Sequence, residues 1–255
     1  MRFFALAFVV TLLVSACGGG SSEDAGASEE VSVATEAAES TPLGTASIAG
    51  TITFDGEAPA RTPVRMKPEC MDQHDEAPLS EDALVSDGAL QNTFVYVSAG
   101  LPDGYSFATP AEAVVLDQVG CQYAPRVLGM QTGQTLRIEN SDPFQHNVHP
   151  FPEHNRSFNE STPNEGDYLE KTFLVEEVMV SVKCDVHSWM QAYVGVLDHP
   201  YHATSGADGA FSISGLPSGT YTVTAWHEQF GTQEMQVTVG DGESGQADFT
   251  YSAAS

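Results

Sequence analysis

Val178-Met179-Val180-Ser181-Val182-Lys183-Cys184-Asp185-Val186-His187-Ser188-Trp189-Met190 is the stretch from which the rest of this chain is read. Valines at 178, 180 and 182 alternate with other residues, the two-residue period of a strand. A thiol, an imidazole and a thioether then follow at Cys184, His187 and Met190, three residues apart. On a strand, positions i and i+3 point to opposite faces, so these side chains cannot meet there. A tight loop containing one helical-type turn gathers i, i+3 and i+6 on one side. The pattern therefore calls for a strand over Val178–Cys184, a donor-bearing loop, and a second strand over Ala192–Leu197.

Another imidazole comes earlier, in Asn140-Ser141-Asp142-Pro143-Phe144-Gln145-His146-Asn147-Val148. With His146 on a neighbouring strand, the donors are one thiolate, two imidazoles and one thioether. Soft sulfur favours reduced copper and imidazole suits both oxidation states; a trigonal His2Cys set with a weak axial Met is the donor set of a type 1 copper site. The expected cofactor is copper in one such site, held by His146, Cys184, His187 and Met190. His149, three residues after His146, is the alternative imidazole, although on a strand it faces away. His74, His154, His199, His202 and His227 read as surface or hydrogen-bonded histidines, and Trp189 with Phe144 as an apolar rim beside His187.

Strand-like runs continue on both sides of this segment. Ala46 to Phe54 and Asn92 to Val97 precede it. From Ala113 onward come Val114–Leu116, Arg126–Met130, Thr135–Glu139, His146–His149 and Thr172–Val175, punctuated by Gly133-Gln134 and Asn140–Pro143. Residues 149–168 read as a long polar loop, and 59–90 resist assignment. Four more strands follow: Ala210–Ser214, Tyr221–Trp226, Glu234–Val239 and Gln246–Tyr251. No amphipathic helix appears anywhere after the signal segment, so the fold class is all-β. A four-stranded sheet needs a second layer over its apolar face. That layer comes either from the strands at 46–54 and 92–97, making residues 111–198 an insertion within a sandwich of 46–110 and 199–254, or from two consecutive sandwiches.

Residues 1–16 have the form of a signal segment: Arg2, then the mostly apolar Phe3–Val14, too short to span a bilayer. Val14-Ser15-Ala16-Cys17 ends as a bacterial lipobox does, which implies lipidation of Cys17; an ordinary secretory signal is the alternative. Residues 17–45 are Ser, Ala, Glu and Gly with few large apolar side chains, an acidic tether that cannot bury enough surface to fold. The expected location is lipid-anchored, at the outer membrane facing the periplasm or at the cell surface. The whole chain carries 9 Lys+Arg against 35 Asp+Glu, a formal net charge of −26. Such a field repels phosphate backbones and excludes nucleic acid as a partner. It either steers basic redox proteins, such as a cytochrome c, or serves solubility. Setting Cys17 aside leaves Cys70, Cys121 and Cys184, an odd number for an oxidising compartment. Cys184, beside His187 and Met190, is the one to leave unpaired; Cys70 and Cys121 then form a disulfide.

Over roughly residues 112–198 the chain resembles the cupredoxins, and most of all amicyanin, through the lead-in Tyr123–Asn140, the turn His146-Asn147-Val148 and the short Cys-x2-His-x2-Met loop. The resemblance implies an eight-stranded Greek-key sandwich with copper near one end. It also implies that Asn147 holds the ligand loop by hydrogen bonding. Asp185 departs from the family pattern, adding negative charge that favours the oxidised ion, and the 150–168 segment is longer than usual. Asp208–Tyr221 looks like carboxypeptidase regulatory-like domains. The function that follows is lipid-anchored electron transfer by Cu(II)/Cu(I) cycling, with no substrate and no enzymatic activity. Copper storage or delivery is a second reading. A structural surface module with a stabilising metal site is a third.

Overall fold

A computed structural model describes residues 43–253; the signal-like segment 1–16, the expected lipidation site Cys17 and nearly all of the 17–45 tether lie outside the described residues. Strand β1 (Ala46–Asp55) opens the fold with Ile48, Ile52 and Phe54 turned inward at the two-residue period. After it come a helical turn α1 (Pro68–Met71), a short pair β2 (Val85–Ser86) and β3 (Ala89–Leu90), and β4 (Phe94–Ala99). The middle of the chain supplies β5 (Val114–Val119), β6 (Gln122–Ala124), β7 (Val127–Gln131), β8 (Thr135–Asn140) and β9 (His146–Phe151). It continues through β10 (Glu160–Thr162), β11 (Tyr168–Thr172), β12 (Glu177–Lys183) and β13 (Gln191–Leu197). Strands β14 (His202–Thr204), β15 (Ala210–Leu216), β16 (Gly219–His227), β17 (Gly231–Val239), β18 (Ser244–Gln246) and β19 (Phe249–Ser252) close it.

The fold is all-β, built of sandwiches. Both ends of the described chain make one of them. A sheet ordered β15-β1-β3-β2, with β18 and β19 also on β1, covers a sheet ordered β14-β4-β16-β17. Ile48, Ile52, Val95, Val97, Tyr221, Val223, Phe249 and Tyr251 fill the space between. The apolar face of β16–β17 thus finds its cover in β1, far away in sequence. The run Asn92–Val97 does not cover it but, as β4, pairs with β16 in the same sheet. Ala210–Ser214 crosses to pair with β1, because backbone pairing and not sequence order assigns strands to layers. Strands β5–β13 make the other sandwich, a five-stranded sheet β10-β9-β12-β13-β7 against a four-stranded sheet β11-β8-β5-β6. Leu116, Met130, Leu136, Ile138, Val148, Val180, Val182 and Val194 form its core.

Three local expectations change. The run Thr172–Val175 is not a strand; pairing with β8 covers Tyr168–Thr172, and Leu174 and Val175 project to solvent. Apolarity alone pointed to the wrong window, because register with β8 rather than hydropathy placed the strand. The polar segment 149–168 is not a loop throughout. Glu160–Thr162 returns as β10 along the edge of β9, setting Thr162 opposite His146 and satisfying backbone groups that an edge strand leaves open. The central sandwich therefore has nine strands rather than eight.

The two sandwiches meet through Phe94, Val127 and Leu197, with Tyr96, Met179, Tyr193 and Trp226 packed around them. Gly129 and Gly195 lie directly opposite one another across the β7–β13 ladder. Together they leave a trough for the fully buried ring of Phe94: a Cβ on Gly195 would stand 2.4 Å from Phe94 Cζ, and one on Gly129 2.4 Å from His202 Nδ1. Beside this contact, Arg126 makes a two-pronged ion pair with Glu228, at 2.5 and 2.8 Å, and a third bond to Asp82 at 2.9 Å. Overpacking a filled core costs about 1–3 kcal/mol. Gly195→Ala is expected to lower the stability of the folded chain by that amount in urea unfolding, and an unchanged midpoint would show that the two sandwiches yield at this seam.

Candidate metal centre

Antiparallel pairing of β9 with β12, Lys183 opposite His149, carries the start of β9 to the loop that leaves β12. The β12–β13 loop holds Cys184, His187 and Met190, and it closes on itself: Met190 N–H donates to the His187 carbonyl at 2.9 Å, Cys184 N–H to that of Met190 at 3.4 Å. Tyr123 fastens the two sides together, its hydroxyl donating to the carbonyls of Asn147 at 2.7 Å and Lys183 at 3.2 Å.

One donor atom from each of His146, Cys184 and His187 lies within 4.8 Å of the others. His146 is 0 % exposed, Cys184 1 %, His187 2 % and Met190 1 %. The two imidazoles face each other through Nδ1, 2.9 Å apart. His149 is not part of this group. It points outward, its Nδ1 3.1 Å from a carboxylate oxygen of Asp185.

The turn before His146 is held by Asn140, whose Nδ2 donates to the carbonyls of Phe144 and Thr162, each at 2.8 Å, and whose Oδ1 accepts Asp142 N–H at 3.0 Å. This aims the buried Asp142 carboxylate at His146 Nε2, 2.8 Å away, while the N–H groups of Gly120 and Cys121 donate to its two oxygens at 2.7 Å each. Burial raises the Asp142 pKa, but the bonds from His146 and those two amides outweigh it and hold the carboxyl below the usual carboxylate range. The carboxylate therefore stays ionised and accepts the His146 Nε2–H, which orients the ring with Nδ1 toward His187. Sequence reading passed over Asp142. Its only signal there was an acid four residues before a candidate imidazole donor.

Burial also pushes the Cys184 thiol up, yet hydrogen bonds from His146 and from the N–H groups of Asn147, His187 and Val186 bring its pKa below the ordinary thiol value. Burial lowers the His187 pKa to about 4, helped by the positive charge of His146 and Lys67. Cys184 is thereby biased toward thiolate and His187 toward a neutral, ligand-ready imidazole. Asn147 Oδ1 accepts Asp185 N–H at 2.7 Å and Val186 N–H at 3.3 Å, and lies 3.2 Å from Cys184 Sγ.

A cover lies over His187. Cys70 and Cys121 form a disulfide, and Cys70 Sγ sits 3.6 Å from His187 Nε2. Trp189 closes the side, its ring centroid 5.1 Å from that of His187 and its Nε1–H donating to the Cys121 carbonyl at 2.9 Å. The rim expected from Trp189 and Phe144 thus leaves the imidazole edge buried rather than open.

Other groupings fit a metal less well. Cysteines 70 and 121 are consumed by their disulfide. In the cluster of Glu176, Asp198 and His199, both imidazole nitrogens are engaged: Nδ1 accepts Tyr201 N–H at 3.2 Å and Nε2 meets the Val97 carbonyl at 3.0 Å.

The family profile of the carboxypeptidase regulatory-like domain matches residues 190–252, from the end of the donor loop to β19. No curated protein sequence matches the chain. Among solved structures, a Cu-containing nitrite reductase from Thermus scotoductus SA-01 is similar over 40 % of this chain, at 20 % identity and a TM-score of 0.30; the shared part spans only 26 % of that enzyme. A purple cupredoxin from Nitrosopumilus maritimus is similar over 32 % of this chain and 98 % of its own, at 23 % identity and a TM-score of 0.29. An oxidised amicyanin mutant is similar over 40 % and 90 %, at 22 % identity and a TM-score of 0.30.

Proposed function

We propose that this chain is an electron-transfer protein with one type 1 copper site, held by His146, Cys184 and His187 and weakly by Met190. The observation that carries the reading is the buried meeting of His146 Nδ1, His187 Nδ1 and Cys184 Sγ. Two imidazole nitrogens facing each other beside a free thiol share a cation readily, and the soft sulfur fits copper as well as the imidazoles do. Bound copper would supply a one-electron Cu(II)/Cu(I) couple.

The chain's own residues do the rest. Asp142 sets the tautomer and ring orientation of His146. Asn147 and the loop amides hold Cys184 against the imidazoles. Burial of all four side chains excludes water, and the paired strands β12 and β13 of one sheet fix the loop ends so that little rearranges when charge changes. Enclosure of this kind supports retention of the metal rather than its exchange, and so favours electron transfer over copper storage or delivery. No substrate enters into this reading. The lipobox-like ending at Cys17 supports a membrane-anchored form, and the −26 charge supports basic redox partners.

The test is stoichiometric addition of Cu(II) to the copper-free chain. An intense visible thiolate-to-copper band and a reversible one-electron wave are expected. A colourless protein that takes up zinc instead would overturn the reading in favour of a stabilising metal site.

A further inference from the structure

Between β9 and β10 the polar segment hydrogen-bonds to the donor loop through Asn159. Its Oδ1 accepts a hydrogen bond from Asn147 Nδ2 at 2.6 Å. Its Nδ2 donates to Asp185 Oδ2 at 2.6 Å and lies 3.2 Å from His149 Nδ1. We propose that Asn159 is a positioning residue that decides which end of the Asn147 amide meets Cys184; this rests on the reading of Cys184 as a metal ligand.

Polarity sets the direction of each of these bonds. A carboxylate only accepts, so Asp185 draws the NH2 of Asn159 toward itself. The carbonyl end of Asn159 is then left to face Asn147, where it claims the NH2 of that amide. Asn147 is left presenting its oxygen to the loop, where the amides of Asp185 and Val186 donate to it. Were the Asn147 amide reversed, its NH2 would meet those N–H donors and the contact would become repulsive. The chain Asp185–Asn159–Asn147 therefore returns to its starting residue, closing a ring that locks the first turn of the donor loop. His149 completes the outer edge of the ring through Asp185.

This gives the longer 150–168 segment a role in the site. The same segment is anchored separately by Asn155. Its Oδ1 accepts the amides of Leu174 and Val175 at 2.8 and 3.0 Å, and its Nδ2 donates to the Val175 carbonyl at 2.7 Å. Asn155 thus supplies a control that loosens the segment without touching the ring.

The experiment compares the full chain, copper-free, with its Asn159→Ala and Asn155→Ala variants. Amide hydrogen exchange at Asp185 and Val186 is followed together with the alkylation rate of Cys184, read on its own peptide by mass spectrometry. Asn159→Ala is expected to speed both by tenfold or more with little change in unfolding midpoint; Asn155→Ala is expected to lower the midpoint and leave both rates near native. Rates unmoved by Asn159→Ala, or moved equally by Asn155→Ala, would overturn the assignment. Copper then separates the two proposals. A native chain that gains no visible band defeats the copper reading. A native band that Asn159→Ala leaves unshifted in energy defeats the positioning role instead.

Discussion

In the Cys184→Ser variant the visible absorption that copper confers on the native chain is expected to fall to baseline, while the protein remains folded. Among the described residues Cys184 is the free cysteine, and Cys70 and Cys121 are joined, so no other thiolate is at hand to replace it. A serine hydroxyl is nearly the same size but is a hard donor that keeps its proton at neutral pH. It would keep the packing and lose the charge-transfer chemistry. His149→Ala is expected to leave the band in place, because that ring pairs with Asp185 outside the donor group. Visible and paramagnetic-resonance spectra of the two loaded variants decide the matter. A band that survives Cys184→Ser, or disappears with His149→Ala, would mean the metal sits elsewhere.

The second large effect concerns the cover over His187. Joining Cys70 to Cys121 closes a loop with a sequence separation of 51 residues, and the chain-entropy relation puts the stabilisation at about 4 kcal/mol. Cys70→Ala with Cys121→Ala is therefore expected to lose stability of that order in urea unfolding. The local consequence is more telling for function. With the covalent tie gone, α1 is held over the site only by weaker contacts, and His187 Nε2 loses its sulfur neighbour. Its reaction with an imidazole-acylating reagent should accelerate severalfold over the native chain under identical conditions. An acylation rate unchanged in the double variant would assign the cover to Trp189 alone.

Much of the site could be read from spacing, because the donors on one loop are neighbours in the chain. Cys184, His187 and Met190 at intervals of three leave few geometries open, and the alternation at 178–182 announces the strand that delivers them. Asp142 and Asn159 were harder to see. An acid in a turn and an amide in a polar segment look like many others, and only the folding back of Glu160–Thr162 along β9 brings the second beside the donor loop. Gly129 and Gly195 were equally silent: a glycine in a strand signals close approach, but not that Phe94 is what approaches.

Local pattern alone determined the all-β class, the strand–loop–strand carrying the donors, and the odd cysteine left free, since side-chain period and donor type are properties of short stretches. Tertiary structure alone decided the layer that covers β16, the partner of β10, and the burial of the His187 edge beneath a disulfide. Each of those depends on pairing between segments far apart in the chain. Such pairing is chosen by which backbone edges and apolar faces remain to be satisfied once the whole chain has collapsed.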